Sequence, residues 1–487
     1  MDNGEPLYWK KTKPDLLSMF PRPTHYVCVL LCLWGGAVLA ETTLDPFDTK
    51  AIVPLKPALR VGDAVGDPCA DAMPAGALNL LEVVNLALCN NPQTRAVWAG
   101  ALVQAAQIGV SKASYLPGAT LSASGSRSSP GTGQRSYGLT LSYLLYDFGT
   151  RAANLENARQ LLDAATATQD STVQAVFLQA VQSFYQAQAS QAALVAALES
   201  ERAAKESFAA AEARYAAGSA TPADKLQAQT AYSQATLNRI TADGNLKNTS
   251  GSLANILGLD AHRNIALVAA NTRIIPASFG GDVAALIDEA RARRPDLQAA
   301  AAQVKAAEAS ADAARASGKP SISLTASTNQ TSSAGITSHG SSVGVNLSVP
   351  LFSGFASTYR IRAAEAQVET QTAQLERLRL QVALDVWTAY QTLTTATQSL
   401  RTTADLLNSA EQSERVALGR YKAGVGSILD VLNAQSALAS ARQQRIQSTF
   451  NWNINRAALA QAMGNLDTGL LQELSGGTQQ PDTNPQR

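Results

Sequence analysis

Residues 137–149 (YGLTLSYLLYDFG) and 343–354 (VGVNLSVPLFSG) carry one pattern twice and decide the fold. Tyr137, Leu139, Leu141, Tyr143 and Leu145 alternate with Ser136, Gly138, Thr140, Ser142 and Leu144. Val343, Val345, Leu347, Val349 and Leu351 alternate with Gly344, Asn346, Ser348 and Pro350. A period of two predicts strands with one apolar face and one small polar face. Each has a shorter companion upstream: Leu121 and Ala123 among Ser122 and Ser124, and Ile322, Leu324 and Ala326 among Ser321, Ser323, Thr325 and Ser327. The predicted strands cover about 119–127, 136–146, 321–328 and 342–351. No charge interrupts the faces, and strands of this length cross a bilayer when tilted. The connections from Arg127 to Arg135 and from Asn329 to Ser341 are polar and Gly/Ser-rich, as loops outside a membrane are. A soluble strand pair capping a core is the competing reading, and the uncharged faces and loop composition weigh against it.

These stretches belong to a larger repeat. Asn91-Pro92 matches Arg294-Pro295, Pro117 matches Pro320 and Leu121 matches Leu324, all at an offset of 203. From Gly138 and Gly344 the offset is 206, and it holds for Leu141 and Leu347, Arg214-Tyr215 and Arg420-Tyr421, Gly218 and Gly424, Asp224 and Asp430, Gln229 and Gln435, and Gly258 and Gly464. The chain therefore divides into two copies of one unit, 78–258 and 283–464, joined by a linker over 259–282 and followed by a polar tail over 465–487.

Each copy reads in the same order. A helix comes first (Leu80 to Tyr115; Val283 to Ser317), ended by Pro117 or Pro320. The strand pair follows, then a helix of about 67 residues (Arg151 to Ala217; Ala356 to Lys422), a Gly-containing turn and a last helix (Pro222 to Leu257; Ser427 to Met463). A helix of that length spans roughly 100 Å. Positions spaced four and three apart form a coiled-coil seam in each: Val382, Val386, Ala389, Leu393, Ala396, Leu400, Thr403, Leu407 and Ala410 in the second copy, and Val173, Phe177, Ala180, Phe184, Ala187, Gln191, Leu194, Leu198 and Glu201 in the first. Trp98, Trp387 and Trp452 fall on helices as packing residues, whereas Tyr143 and Tyr146 suit either a core or an aromatic belt at a membrane interface.

Four strands cannot close a membrane barrel, and open sheet edges are not tolerated in lipid. Other copies of the chain must complete it: two would give eight strands and three would give twelve. Only the larger barrel leaves an aqueous lumen, which favours three.

The rest of the chain agrees with export. The net charge is +1, which excludes an electrostatic case for nucleic acid, and the low aromatic content of 6% suits helices packed through small residues. Tyr26 to Leu39 is a short apolar run preceded by Lys10, Lys11, Lys13 and Arg22 and ended by Val38-Leu39-Ala40, which predicts a signal peptide over 1–40, cleaved before Glu41, with Met19 an alternative start. Neither Cys28 nor Cys32 has the small residues of a lipoprotein signal before it. An extended segment over 41–77 follows. Two cysteines then remain, Cys69 and Cys89, and an even pair in an exported chain reads as one disulfide, stabilising by roughly 3 kcal/mol. Two free thiols, or a zinc site with His262 and His339, are the competing readings. No Gly-rich phosphate loop, metal-ligand cluster or nucleophile–base arrangement stands out, so neither an enzyme nor a cofactor is expected.

Leu88-Cys89-Asn90-Asn91-Pro92, the segments Leu141 to Gly149 and Leu347 to Gly354, and Arg420-Tyr421-Lys422-Ala423-Gly424 running to Asp430-Val431-Leu432-Asn433-Ala434-Gln435 resemble the TolC family of outer-membrane channel-tunnels over about Leu78 to Gly464. The resemblance implies a mainly α chain with membrane β-strands, assembled as a homotrimer. Its twelve-stranded β-barrel would sit among outer-membrane lipid and continue into a periplasmic α-helical barrel. It implies a periplasmic adaptor (a membrane fusion protein) and an inner-membrane transporter as partners. The surroundings of Cys69 and Cys89 and the missing lipid-anchor cysteine look more like the type I secretion branch, similar to the component serving adenylate cyclase-haemolysin toxin, with an ABC transporter and an exported protein substrate.

The same resemblance assigns a pore-entrance ring to Asp430 and Asn433, and contacts that close the entrance to Asp224 and Tyr421. Two departures stand out: a second pore carboxylate is expected where Asn433 stands, and an arginine that ties the closed entrance where Gly426 stands. From the residues alone, Thr221-Pro222-Ala223-Asp224 and Ser427-Ile428-Leu429-Asp430 read as helix capping boxes, a role compatible with the other. A drug-efflux duct and a pore-less periplasmic scaffold are the alternatives, and a scaffold has no use for four uncharged strands.

Overall fold

Cap residues, prolines and glycines set where each element of this chain begins and ends. The computed structural model describes residues 45–54, 76–127, 133–263, 265–268, 282–333 and 335–466. The predicted signal peptide, Cys69 and most of the 465–487 tail lie outside them. Residues up to Asp48 form a separate unit, described only over Asp45 to Asp48, where the Asp48 N–H donates to the Asp45 carbonyl at 3.1 Å. After a 3₁₀ turn at Thr49–Ile52 the larger unit runs α1 (Leu80–Asn90), α2 (Pro92–Ala113), β1 (Gly118–Arg127), β2 (Gly133–Tyr146), α3 (Thr150–Ala216) and α4 (Pro222–Ile256). The second copy repeats the order as α5 (Val283–Arg293), α6 (Pro295–Ser317), β3 (Ser321–Ser333), β4 (Ile336–Ser348), α7 (Ala356–Lys422) and α8 (Ile428–Ala462).

The first helix of each copy, expected to be continuous, is broken at Asn91 and at Arg294. A residue before proline is pushed out of the helical region, and both adopt extended backbone, ψ 128° and 124°. The breaks are used. Asn91 Oδ1 accepts the Gln93 N–H (2.8 Å) while its Nδ2 donates to the Ile256 carbonyl (3.1 Å). Arg294 Nη1 donates to the Ala462 carbonyl (3.4 Å) and to Asp385 (3.1 Å), and Nη2 pairs with Asp296 (2.6 Å). Ile256 and Ala462 are equivalent positions, so each break clasps the end of its own copy's last helix. Beside each clasp lies a left-handed glycine, Gly258 (φ +70°) or Gly464 (φ +72°). A Cβ on Gly258 would stand 2.6 Å from the Asn90 carbonyl oxygen, and one on Gly464 would stand 3.2 Å from Arg294 Cα.

The strands form one antiparallel sheet in the order β1-β2-β3-β4. The repeat offsets carry every β1–β2 pair onto a β3–β4 pair: Gly118 with Ser142 becomes Ser321 with Ser348, and Leu121 with Leu139 becomes Leu324 with Val345. Side chains follow. Ser124 and Ser136 hydroxyls meet at 2.7 Å, and their equivalents Ser327 and Ser342 at 2.9 Å. The segment from Asn329 to Ser341, expected to be a loop, is mostly ladder, because β3 runs to Ser333 and β4 starts at Ile336. Its Ser and Thr residues pair across the strands, as Ser341 does with Thr328 (3.1 Å), and Gly335 (φ +82°) makes the turn. At the other end β4 stops at Ser348, short of the predicted 351. Pro350 has no N–H, and β4 is an edge strand with no neighbour on its far side.

Positive-φ residues turn each strand pair into its long helix: Phe148 and Gly149 in the first copy, Gly354 and Phe355 in the second. The first junction is locked by Arg151, which donates to the Leu144 carbonyl (2.7 Å), pairs with Asp147 (3.2 Å) and covers the Tyr115 ring (4.8 Å). Ser357 occupies the equivalent place in the second. Tyr146 and Phe148 meet edge to face at 4.7 Å, Phe352 and Phe355 at 5.5 Å, and all four are exposed. Tyr143 is half-buried on β2.

In α7 the predicted seam is the buried one: Val382, Val386, Leu393, Leu400 and Ala410 are buried, and Thr403 bonds Ser448 of α8 at 2.7 Å. In α3 it holds only through Ala187. Val173, Phe177, Ala180, Phe184 and Ala187 join Tyr185, Leu257 and Phe450 in the main core, where burial raises the Tyr185 phenol well above its ordinary value. Beyond that, Gln191 is exposed, Leu198 is 48% exposed and Glu201 pairs with Arg239 of α4 (2.9 Å). Small and polar side chains take over where α3 runs beside both α4 and α8. Trp452 is buried and Trp98 donates to the Pro54 carbonyl (2.8 Å), but Trp387, expected to pack, is 50% exposed in the single chain.

Gly258→Ala combines a left-handed backbone, costing about 1–3 kcal/mol for a residue with a Cβ, with the close carbonyl contact. The temperature at which the oligomer comes apart on a detergent gel falls for both Gly258→Ala and Gly464→Ala, and falls further for Gly258→Ala. Equal shifts would contradict the packing described.

Candidate functional site

The turns joining α3 to α4 and α7 to α8 hold the residues singled out from the sequence. Each long helix ends in a left-handed glycine, and the N–H of the next residue reaches back over it: Ser219 N donates to the Arg214 carbonyl (2.9 Å) and Val425 N to the Arg420 carbonyl (3.0 Å). Each following helix opens with a reciprocal capping box. Asp224 N donates to Thr221 Oγ1 (3.2 Å), and the Asp224 carboxylate accepts from Thr221 N (2.9 Å) and from its hydroxyl (2.8 Å). In the second copy Asp430 N donates to Ser427 Oγ (3.2 Å), but the return bond from Ser427 N to the carboxylate is long, 3.4 Å.

The two carboxylates are thus unequal. The Thr221 N–H and then its hydroxyl hold Asp224 below its ordinary value of 3.8. A group lowered in this way supports the turn above the ordinary value and loses that support as the pH falls through the lowered one. Asp430 is exposed and loosely held, and Asn433, one helical turn on, is exposed on the same helix.

Tyr421 is 7% exposed and packs with Ala211, Ala228, Ile428 and Val431. Within the chain the Asp224 carboxylate is held by Thr221 and Tyr421 has other neighbours. Tyr421 is instead held by Arg214, which donates to its carbonyl (2.7 Å) and lies 4.1 Å from its ring centre. Arg214 was missed in the sequence. Arg214-Tyr215 repeats as Arg420-Tyr421, but nothing in the repeat told that one arginine would cross to the other tyrosine. The equivalent Tyr215 is exposed beside Lys225, which pairs with Glu212 (2.8 Å). Behind the turns, Gln435 Nε2 donates to Ser207 Oγ (3.0 Å) and Arg442 pairs with Glu199 (3.1 Å), tying α8 to α3.

Gly426 now has a structural reason. A Cβ there would lie 3.0 Å from Arg420 Cβ and 3.1 Å from Tyr421 N, so a side chain at this position needs the turn to give by a few tenths of an ångström. Cys89, on α1, is disulfide-bonded, and the partner named for it, Cys69, lies outside the described residues. Among the described residues no cluster of three or more His, Cys, Asp or Glu could hold a metal ion.

A sheet with two open edges, an apolar exposed face and helices of 67 residues on one side define a protomer of a membrane channel. The chain belongs to the outer membrane efflux protein family, whose pattern matches it twice, over residues 83–259 and 286–465, once for each copy of the repeat. It is 34% identical to protein CyaE of Bordetella pertussis over 83% of this chain and 88% of that one. It is 26% identical to outer membrane protein TolC of Escherichia coli over 54% and 56% of the two chains. Among solved structures, that of CusC superposes with a TM-score of 0.71 at 22% identity, covering 85% of this chain and 98% of the other. The open state of the MtrE outer membrane channel of Neisseria gonorrhoeae gives 0.69 at 21%, covering 80% and 89%. The chain is thus an outer-membrane channel protein whose helices extend into the periplasm, with trimers forming the twelve-stranded barrel and the helical barrel below it.

Proposed function

We propose that this channel is the outer-membrane component of a type I secretion system. It would conduct a protein substrate, a toxin in the branch it resembles, from an inner-membrane ABC transporter and a periplasmic adaptor to the exterior. The observation that carries this reading is the 34% identity with protein CyaE across most of both chains. The identity with a probable efflux pump outer membrane protein, TtgC of Pseudomonas putida, is 26%. The Cys69 and Leu88-Cys89-Asn90-Asn91-Pro92 arrangement supports the same branch. The chain itself is a passive conduit: transporter and adaptor supply energy and selectivity. The pump relatives keep a drug-efflux duct as the second reading. Comparing proteins released into the medium with and without the gene separates the two. Loss of one large protein with drug tolerance unchanged fits secretion; an unchanged set of released proteins with raised drug sensitivity moves the assignment to efflux.

The turns joining the long helices form the entrance in this reading. Asp430, exposed and loosely capped, repeats three times in a trimer and makes a cation-attracting ring, with Asn433 as a neutral second tier. Asp224 belongs to the closure contacts, and Tyr421, held by Arg214, is the apolar weight behind them. In planar lipid bilayers Asp430→Ala lowers cation selectivity and weakens block by divalent cations. If both are unchanged, Asp430 is only a helix cap.

A further inference from the structure

The apolar face of the sheet changes character toward the hairpin ends, the ends away from the helices. Strand pairing sets residues of one face in rows across the sheet. Leu141, Ala326 and Val343 share one row. Two rows further out the same face carries Tyr137, Gln330 and His339, and the next row carries Arg135, Ser332 and Thr337. Arg127 closes the face at the tip of the first hairpin, diagonal to Arg135. The residues opposite the two arginines are glycines, Gly133 facing Arg127 and Gly125 facing Arg135, so no cross-strand side chain covers either guanidinium. Arg127, Arg135 and His339 are all exposed. Diagonal neighbours stand roughly 7–8 Å apart, so the two like charges repel unless an anion joins them. No Asp or Glu occurs from Gly118 to Tyr146 or from Ser321 to Ser348, so the sheet supplies no such anion itself.

We infer that this outer rim binds the phosphorylated glycolipid of the outer leaflet. One phosphate bridges Arg127 and Arg135, the sugar hydroxyls meet Gln330, Ser332, Thr337 and His339, and the acyl chains lie along the apolar rows below. Three features support the assignment. The helices extend into the periplasm, so the hairpin ends face the outer leaflet. Arginine on a lipid-facing surface is costly at the middle of the bilayer and nearly free at its boundary, and Tyr137, one row inside Arg135, is the kind of side chain that marks that boundary. Guanidinium groups also suit phosphate better than any other side chain, through paired N–H donors. The polar rows are too wide for a single phosphate. From Arg135 to the line of His339 is two strand spacings, roughly 10 Å. On β3 and β4 the polar rows begin two steps deeper than on β2, at Thr328 and Ser341 opposite Leu139, leaving a hydroxyl-lined step beside the arginines. A phosphodiester headgroup fills the arginine corner and leaves that step unmet, whereas an amino-sugar disaccharide carrying phosphate meets both. The inference concerns the membrane contact of the channel and holds whether the cargo is a protein or a small molecule.

The test titrates bisphosphorylated lipid A into the channel purified as its oligomer in mild detergent and reads bound lipid by native mass spectrometry. Arg127→Gln/Arg135→Gln weakens binding roughly thirty-fold, at about 1 kcal/mol for each basic residue near an anionic lipid surface. Dephosphorylated lipid A binds the unaltered channel as weakly as lipid A binds that variant. Lys319→Gln, an exposed cation at the helix end of the sheet, changes nothing. If the double variant does not assemble, Arg135→Gln alone carries the test with a loss of about five-fold. Unchanged lipid A binding in an assembled arginine variant overturns the inference. So does phosphatidylglycerol binding as tightly as lipid A with the same dependence on the arginines, which would make the ligand a phospholipid, and so does displacement of lipid A by inorganic phosphate, which would make it free phosphate.

Discussion

The hydrocarbon interior of a bilayer offers no water, so the outward N–H and C=O groups of β1 and β4 must find partners in another chain. Everything else follows from that demand. The chain supplies four strands, too few to close alone, and a barrel of three copies turns the two open edges into a junction that the chain already contains once. Away from Arg127 and Arg135 at one hairpin end and His339 at the other, the strands carry no acidic or basic side chain, and their two faces are apolar and small polar. Unlike the strands, the helices carry much of their own packing within the chain, through the core around Phe177, Tyr185 and Phe450 and the α7–α8 seam. In the single chain Trp387 remains half exposed on them.

Duplication also explains how helices this long are anchored. In each copy the chain breaks at a proline, and the residue before it reaches the last helix of that copy: Asn91 to Ile256 and Arg294 to Ala462. The chemistry differs while the geometry does not. Asn91 is a neutral clasp, whereas Arg294 brings a charge that needs Asp296 and Asp385, and leaving one partner out would strand it. The copies diverge further toward function. Arg151 locks one strand–helix junction and Ser357 leaves the other open; Arg214 stacks on the second copy's tyrosine, and Arg420 does not repay the contact on Tyr215. A symmetric frame thus carries two unequal turns, with Asp430 loosely held and Asp224 tied down.

Much of this was legible in the residues. Period-two alternation and the two offsets located the sheet, the repeat and both long helices, because each pattern is sustained over many residues. Misreadings came where a single residue outweighed its neighbours. Pro92 and Pro295 broke helices whose periodicity runs on, since the restraint acts on the residue before proline and not on the pattern. Ser and Thr between Asn329 and Ser341 looked like loop composition but suit a ladder whose hydroxyls pair across strands. The α3 seam past Ala187 kept a heptad spacing but lost its core, because a helix flanked on two sides packs through small residues on more than one face. At the turns after the long helices the capping boxes were readable from spacing. Arg214 was not, since a contact between the two copies leaves no local mark.

The demand of the open edges is tested most directly by the mass of the particle extracted from the outer membrane in mild detergent, with the detergent contribution subtracted by light scattering. Three times the mass of the mature chain is the result this account predicts. A monomer would mean that the β1 and β4 edges are satisfied some other way, and a dimer would mean an eight-stranded barrel too narrow to conduct.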